Sequence, residues 1–225
     1  MKTKNILFIV TTHGDEGFSI PVVKKLAKEF NFDWVIGNPK AQAKNTRYIE
    51  ADLNRSGPGN IKSPVYEQRK AYELIRLGKK YKTVIDLHGT VSNTGIFVIV
   101  TNPGWENIEL AKKLDIKNVI LWPGLVSTGP LTQFVPNSLE IECGPKSDPR
   151  TAIKLERILR KYLTGYVPKL KQNIYIVNGA FTKKTYKPMK EFTKFTYKNI
   201  SFYPLMVGQY GKIKCYMMQK LGDNL

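Results

Sequence analysis

For its first 165 residues or so the chain alternates short apolar runs with stretches of helical period, and few architectures accept that alternation. Asn5–Val10 (NILFIV) reads as a buried strand. Ser19–Phe30 sets Val22, Val23, Leu26, Ala27 and Phe30 at helical spacing. Phe32–Ile36 reads as a second strand. Ser63–Lys79 opens with Ser-Pro, a helix-start signal, and carries Val65, Ala71, Tyr72, Ile75 and Leu77. Strands are predicted again at Thr83–Leu87, Ile96–Val100, Val119–Trp122 and Ser138–Ile141, with a short helix over Asn107–Leu114. Asp148 is placed to cap a helix running to about Leu163. Such alternation predicts an α/β fold built on a mixed, mostly parallel sheet flanked by helices. Ligands on such sheets collect at the carboxyl ends of the strands.

The pattern changes at Gly165–Pro168. Beyond it the chain is rich in Tyr, Phe, Thr and Lys without helical period, and Asn173–Val177, Phe192–Tyr197 and Lys212–Met218 read as short strands. The expected organisation is an α/β domain over 1–167 and a small C-terminal all-β domain over 168–225 that walls the site.

Composition narrows the function classes. The apolar fraction of 42% supplies a core. No run approaches 18 apolar residues, so no membrane span is expected. The six-residue NILFIV run is too short for a signal-peptide core. Two cysteines, Cys143 and Cys215, make neither a disulfide framework nor a Cys-rich metal site, and a cytoplasmic protein is expected. The net charge of +18 invites a nucleic-acid reading. The excess is Lys scattered in pairs (24–25, 79–80, 112–113, 183–184) rather than a dense basic tract, so no nucleic-acid partner is expected. The charge instead favours approach of anionic small molecules.

The chain has two histidines, and each directly follows a predicted strand beside a glycine: His13 in Thr-Thr-His-Gly-Asp-Glu-Gly and His88 in Ile-Asp-Leu-His-Gly-Thr. A parallel sheet brings both to one carboxyl edge. Glu16, three residues after His13, faces the same way in a turn that enters a helix. Two imidazoles and a carboxylate are a catalytic zinc set with a fourth position left for water. Asp86 shares a strand face with His88 and is placed to accept from its other ring nitrogen. A single histidine at a strand end is commonly just a satisfied polar group; two of them, each with an acid at fixed spacing, point to a metal.

Arg47 and Arg55, two of the seven arginines, fall within nine residues of a long loop bounded by Gly37-Asn38-Pro39 and Gly57-Pro58-Gly59. Their planar forks suit carboxylates or polarised carbonyls, and a structureless loop this long is commonly functional. In Leu139-Glu140-Ile141-Glu142-Cys143-Gly144-Pro145 the two glutamates share one strand face. They are either solvated on an edge strand or one of them is a general base.

Together these pieces resemble the succinylglutamate desuccinylase/aspartoacylase branch of the zinc carboxypeptidase superfamily. The matching segments occur in order: His13 to Glu16; Asn38-Pro39-Lys40-Ala41 with Thr46-Arg47-Tyr48-Ile49 and Asp52-Leu53-Asn54-Arg55; Asp86-Leu87-His88; and Glu142-Cys143-Gly144-Pro145. The likeness spans roughly residues 5 to 145. It implies one zinc ion per chain held by His13, Glu16 and His88, with Glu142 as general base and acid. Arg47 would stabilise the oxyanion, and Asn54 and Arg55 would bind the substrate's α-carboxylate. Some members carry a further Arg shortly before the catalytic strand; here residues 128–138 hold no Arg or Lys. For the C-terminal substrate tyrosine, Tyr210 is the candidate, with Tyr186 and Tyr203 as alternatives. The implied activity is hydrolysis of the amide of an anionic N-acyl amino acid. Competing readings are a metallocarboxypeptidase acting on short peptides and a zinc-binding protein without turnover.

Overall fold

β1 (Ile6–Val10) is apolar at every position and runs between two parallel neighbours, β2 (Asp33–Ile36) and β3 (Thr83–Gly89). A strand covered on both faces needs no polar alternation, which explains the continuous run. The computed structural model describes residues 5–123 and 127–222. Beyond β3 the sheet continues through β6 (Ser138–Gly144), β4 (Gly95–Val100), β5 (Asn118–Leu121), β7 (Asn173–Phe181), β10 (Cys215–Lys220), β9 (Ile200–Leu205) and β8 (Phe195–Tyr197). β1–β2, β1–β3, β3–β6, β4–β5 and β5–β7 pair in parallel, while β4–β6 and the last three strands pair antiparallel. The mixed, mostly parallel sheet expected from the alternation is therefore present. Its C-terminal strands share one ladder with the rest, because β7 hydrogen-bonds directly to β5.

One face of the sheet carries Phe8, Val10, Ile85, Leu87, Leu139, Ile141 and Cys143. Against it pack α1 (Ser19–Leu26), α4 (Trp105–Lys112) and α5 (Pro149–Leu163), through residues such as Val23, Leu26, Leu110, Leu155 and Leu159. Asp148 caps α5 as expected, its carboxylate accepting from the Arg150 amide. The opposite face is covered in two places. α3 (Tyr66–Gly78) buries Ala71, Leu74 and Ile75 on Leu7, Ile9 and Val84. The C-terminal segment packs Leu205, Met206 and Met218 on Phe97, Ile99 and Ile120. The sheet face between those two coverings carries Asp86, His88, Glu140 and Glu142.

The structure adds elements to those expected from the sequence. The 37–59 loop contains α2 (Pro39–Lys44), capped by Asn38 with Pro39 at its start, and a 3-10 turn at Leu53–Arg55 capped by Asp52. Six residues are too few to show a period. β9 is not among the predicted strands; it contains Pro204, which lies opposite Met217 of β10. Among the described residues no helix is long and apolar enough to cross a membrane. The lysine pairs are exposed and sit on or after different elements: α1, α3, α4 and β7.

Leu139 is fully buried at the centre of the larger core. Leu139→Ala should cost about 2–5 kcal/mol of stability. Urea unfolding of the two proteins checks this, and a shift below about 1 kcal/mol would mean the core is not organised around β6.

Candidate metal centre and active site

The chain leaves β1 through Thr11, whose φ of 54° is a left-handed conformation that a β-branched residue adopts only under constraint. The next residue, Thr12, sets its hydroxyl 2.9 Å from both carboxylate oxygens of Asp86 on β3. His13 and Glu16 follow at the same edge. Gly14 is required between them, since a Cβ there would come within 2.1 Å of the Ala41 backbone in α2.

His13 Nδ1 lies 2.9 Å from Glu16 Oε1, and His88 Nδ1 lies 3.3 Å from Glu16 Oε2. Ligand atoms of the three residues all fall within 4.8 Å of one another, and all three side chains are buried. With metal–ligand bonds of roughly 2.0–2.1 Å, a tetrahedral set has donor–donor edges of about 3.3 Å. The two histidine–carboxylate spacings, each to a different oxygen of Glu16, are of that order. His88 adds a second indication: both its ring nitrogens are fully buried, and neither Glu16 nor Asp86 is aligned with them for a hydrogen bond. A buried ring nitrogen of this kind, aimed at two other donors, fits a divalent cation.

Both imidazoles have a carboxylate on the far side. His13 Nε2 lies 3.0 Å from Asp52, and His88 Nε2 lies 3.0 Å from Asp86. Asp52 hydrogen-bonds His13 Nε2, and Asp86 pairs with His88 Nε2 by charge without an aligned hydrogen bond, so that each Nδ1 faces Glu16. Burial works against the charged form of His88, but Asp86 and Glu16 outweigh it and raise its pKa well above the usual range. His13 is raised too: burial opposes charge, and Glu16 and Asp52 overcome it. Glu16 responds inversely, its burial offset by the two imidazoles so that it stays ionised.

Glu140 and Glu142 do not lie on an edge strand. β6 is flanked by β3 and β4, and both glutamates are buried, at 3% and 8% exposure. Strand register sets Glu142 opposite His88 and Glu140 opposite Asp86. Burial, reinforced by Glu16 and Glu140, raises Glu142 to about 7, and among the described residues its Oε2 has no hydrogen-bond partner. Glu140 is held differently, accepting from Asn54 Nδ2 at 3.1 Å and Thr132 Oγ1 at 3.2 Å. Cys143 points to the other face and packs in the core.

Arg47 reaches over the site from the loop. It donates to Asp52 Oδ2 at 3.0 Å and approaches Glu16 Oε1 at 4.0 Å. Burial opposes its charge, and Asp52 more than compensates. Asn54 and Arg55 stand beside it, Arg55 exposed and donating to the Asn54 carbonyl. A cavity of about 250 Å³ joins His13, Glu16, Arg47, Asn54, Arg55 and Glu142 to Tyr210 and Tyr216 of the C-terminal strands. Tyr210 thus reaches the site, whereas Tyr186 is fully exposed and Tyr203 packs against the Tyr175 ring beneath the C-terminal strands.

Two functional residues escaped sequence reasoning. Asp52 supports both His13 and Arg47; its only sequence signal is its place two residues before Asn54. Glu67, fully buried in the first turn of α3, accepts from the amides of Ile49, Glu50 and Ala51 and from Asn38 Nδ2 at 2.8–3.2 Å. It pins the loop between Arg47 and Asp52, and nothing in its sequence context separates it from an ordinary helix glutamate.

The family model for the succinylglutamate desuccinylase/aspartoacylase catalytic domain matches residues 2–161 of this chain. A probable aspartoacylase of Prochlorococcus marinus is 31% identical over 199 residues, covering 77% of this chain. The chain spans 66% of the length of that relative. Murine aminoacylase 3 superposes with a TM-score of 0.77 at 18% identity, over 98% of this chain and 96% of the other. The succinylglutamate desuccinylase of Chromobacterium violaceum gives 0.71 at 18% identity, over 98% and 86%.

Glu67→Gln would place an N–H donor where the loop amides need an acceptor. The expected cost is about 1–3 kcal/mol. Hydrogen exchange at Ile49, Glu50 and Ala51 should accelerate while β3 amides keep their protection; unchanged loop protection would refute the anchoring role.

Proposed function

The chain belongs to the succinylglutamate desuccinylase/aspartoacylase family, and on that basis we propose that it hydrolyses the amide of an N-acyl amino acid, with one zinc ion held by His13, Glu16 and His88. The observation that carries this reading is the convergence of those three donors beside Glu142, whose unbonded Oε2 is buried next to the cavity. A structural metal site would have no need of a carboxylate kept free at that place.

Zinc bound there would lower the pKa of a water from 15.7 toward about 7 and polarise the substrate carbonyl. Glu142 accepts a proton from the attacking water as the new C–O bond forms, a role suited to a pKa of about 7. Arg47, held by Asp52, donates to the developing oxyanion, an interaction worth roughly 3–4 kcal/mol in comparable sites. As the C–N bond breaks, Glu142 returns its proton to the leaving amine. Arg55 and Asn54 fix the substrate's α-carboxylate and so orient the carbonyl. Asp52 and Asp86 keep the two imidazoles in position throughout. The net charge of +18 favours approach of such an anion, and a reducing cytoplasm suits the two buried free thiols.

Glu142→Gln should keep stoichiometric zinc by elemental analysis while turnover of N-acyl amino acids falls by about 10²–10⁴. Full activity in that variant would remove Glu142 from the mechanism. His88→Ala should lose the metal; a zinc content equal to the wild type would break the ligand set.

A further inference from the structure

The cavity has two chemically distinct sides. Among the described residues lining it, the arginines are Arg47 and Arg55, and no lysine joins them. The other side carries Ile99, Trp122, Met206, Tyr210 and Tyr216, with uncharged polar groups such as Thr128 and Gln209 among its neighbours in the lining. These residues come from β4, the end of β5 and the β9–β10 region, so the wall exists only because three remote segments meet. Ile99 lies opposite Glu140 in the β4–β6 register, which brings the wall next to the buried glutamates. Its rings form a chain. Tyr210 lines the cavity together with Glu142, Arg47 and Arg55; the ring centre of Tyr216 stands 5.8 Å from that of Tyr210, and that of Trp122 4.5 Å from Tyr216, both edge-on. The wall therefore runs from Tyr210 through Tyr216 to Trp122.

An N-acyl amino acid presents three arms around its reacting carbonyl: the acyl group, the α-carboxylate and the side chain. Arg47 is paired with Asp52 and faces Glu16, at the carbonyl end. Arg55, with Asn54, accounts for one carboxylate. A second carboxylate on the side chain would lose its water against Trp122, Tyr216, Ile99 and Met206, with Glu140 and Glu142 as its nearest charges and no further cation to receive it. An apolar or aromatic side chain would instead bury area on those surfaces and stack edge-on with the rings. We propose that this protein selects N-acyl derivatives of apolar or aromatic amino acids over those of aspartate and glutamate, with Trp122 and Tyr216 as the selecting residues. The proposal rests on the deacylase reading for its chemistry but on the cavity wall alone for its selectivity.

The test compares zinc-loaded wild type on N-acetylphenylalanine and N-acetylleucine with N-acetylaspartate and N-succinylglutamate. The expected ratio of kcat/KM is at least about ten-fold in favour of the apolar pair. Equal or better use of the acidic pair overturns the proposal. Calorimetric titration of the zinc-loaded Glu142→Gln variant with the same four compounds separates the two readings. If nothing is hydrolysed but N-acetylphenylalanine binds more tightly than N-acetylaspartate, the deacylase reading fails and the selectivity stands. If neither binds, the selectivity fails as well. Trp122→Ala should weaken N-acetylphenylalanine binding about ten-fold and leave N-acetylaspartate unchanged, and Trp122→Arg should shift the ratio toward N-acetylaspartate. Retention of the wild-type ratio in folded samples of both variants removes Trp122 from the selection, and the wild-type comparison stands by itself if either variant fails to fold.

Discussion

Glu16 is a carboxylate taken almost wholly out of water, and it is stabilised there by two imidazoles on either side of it. A buried charge is tolerated only when its partners are themselves held in place. The surrounding structure meets that demand in layers. Asp52 and Asp86 hold the far nitrogens of the histidines, Thr12 holds Asp86, and Arg47 holds Asp52. Removing Asp86 would leave the fully buried Nε2 of His88 without the carboxylate beside it. Close-set charges of this kind suit a cation more positive than the imidazoles themselves, and the donor spacing fits that role.

Alternation along two neighbouring strands builds core and site at once. On β3, Ile85 and Leu87 enter the larger core while Asp86 and His88 face the opposite side. On β6, Leu139, Ile141 and Cys143 pack while Glu140 and Glu142 face the opposite side. Parallel register then sets Glu142 against His88. A slip of one residue in that pairing would move the carboxylates into the apolar core, so the packing of the helical face secures the geometry of the chemical face.

The remaining parts of the site come from outside the sheet and depend on tertiary anchors. Glu67 gathers three successive loop amides and thereby positions Arg47 on one side and Asp52 through Arg55 on the other. The C-terminal strands extend the same sheet and contribute Met206, Tyr210 and Tyr216 to the cavity. The cavity wall and the candidate metal donors are thus built from different segments, so one can vary without disturbing the other.

Much of this was legible in the chain itself. Apolar periodicity located the main strands and helices, since burial on one or both faces writes directly into residue order. Two histidines at strand ends, each with an acid at a fixed offset, marked a cluster that could hold a metal, because short-range spacing determines which side chains share a face. Longer-range relations left no such trace. Whether Glu140 and Glu142 met solvent or the interior depended on β6 lying between β3 and β4, and strand order is not encoded in any local pattern. Asp52, Glu67 and the aromatic wall became meaningful only once segments tens of residues apart were brought within a few ångströms, because a hydrogen bond or ring contact is set by distance in space and not by separation along the chain.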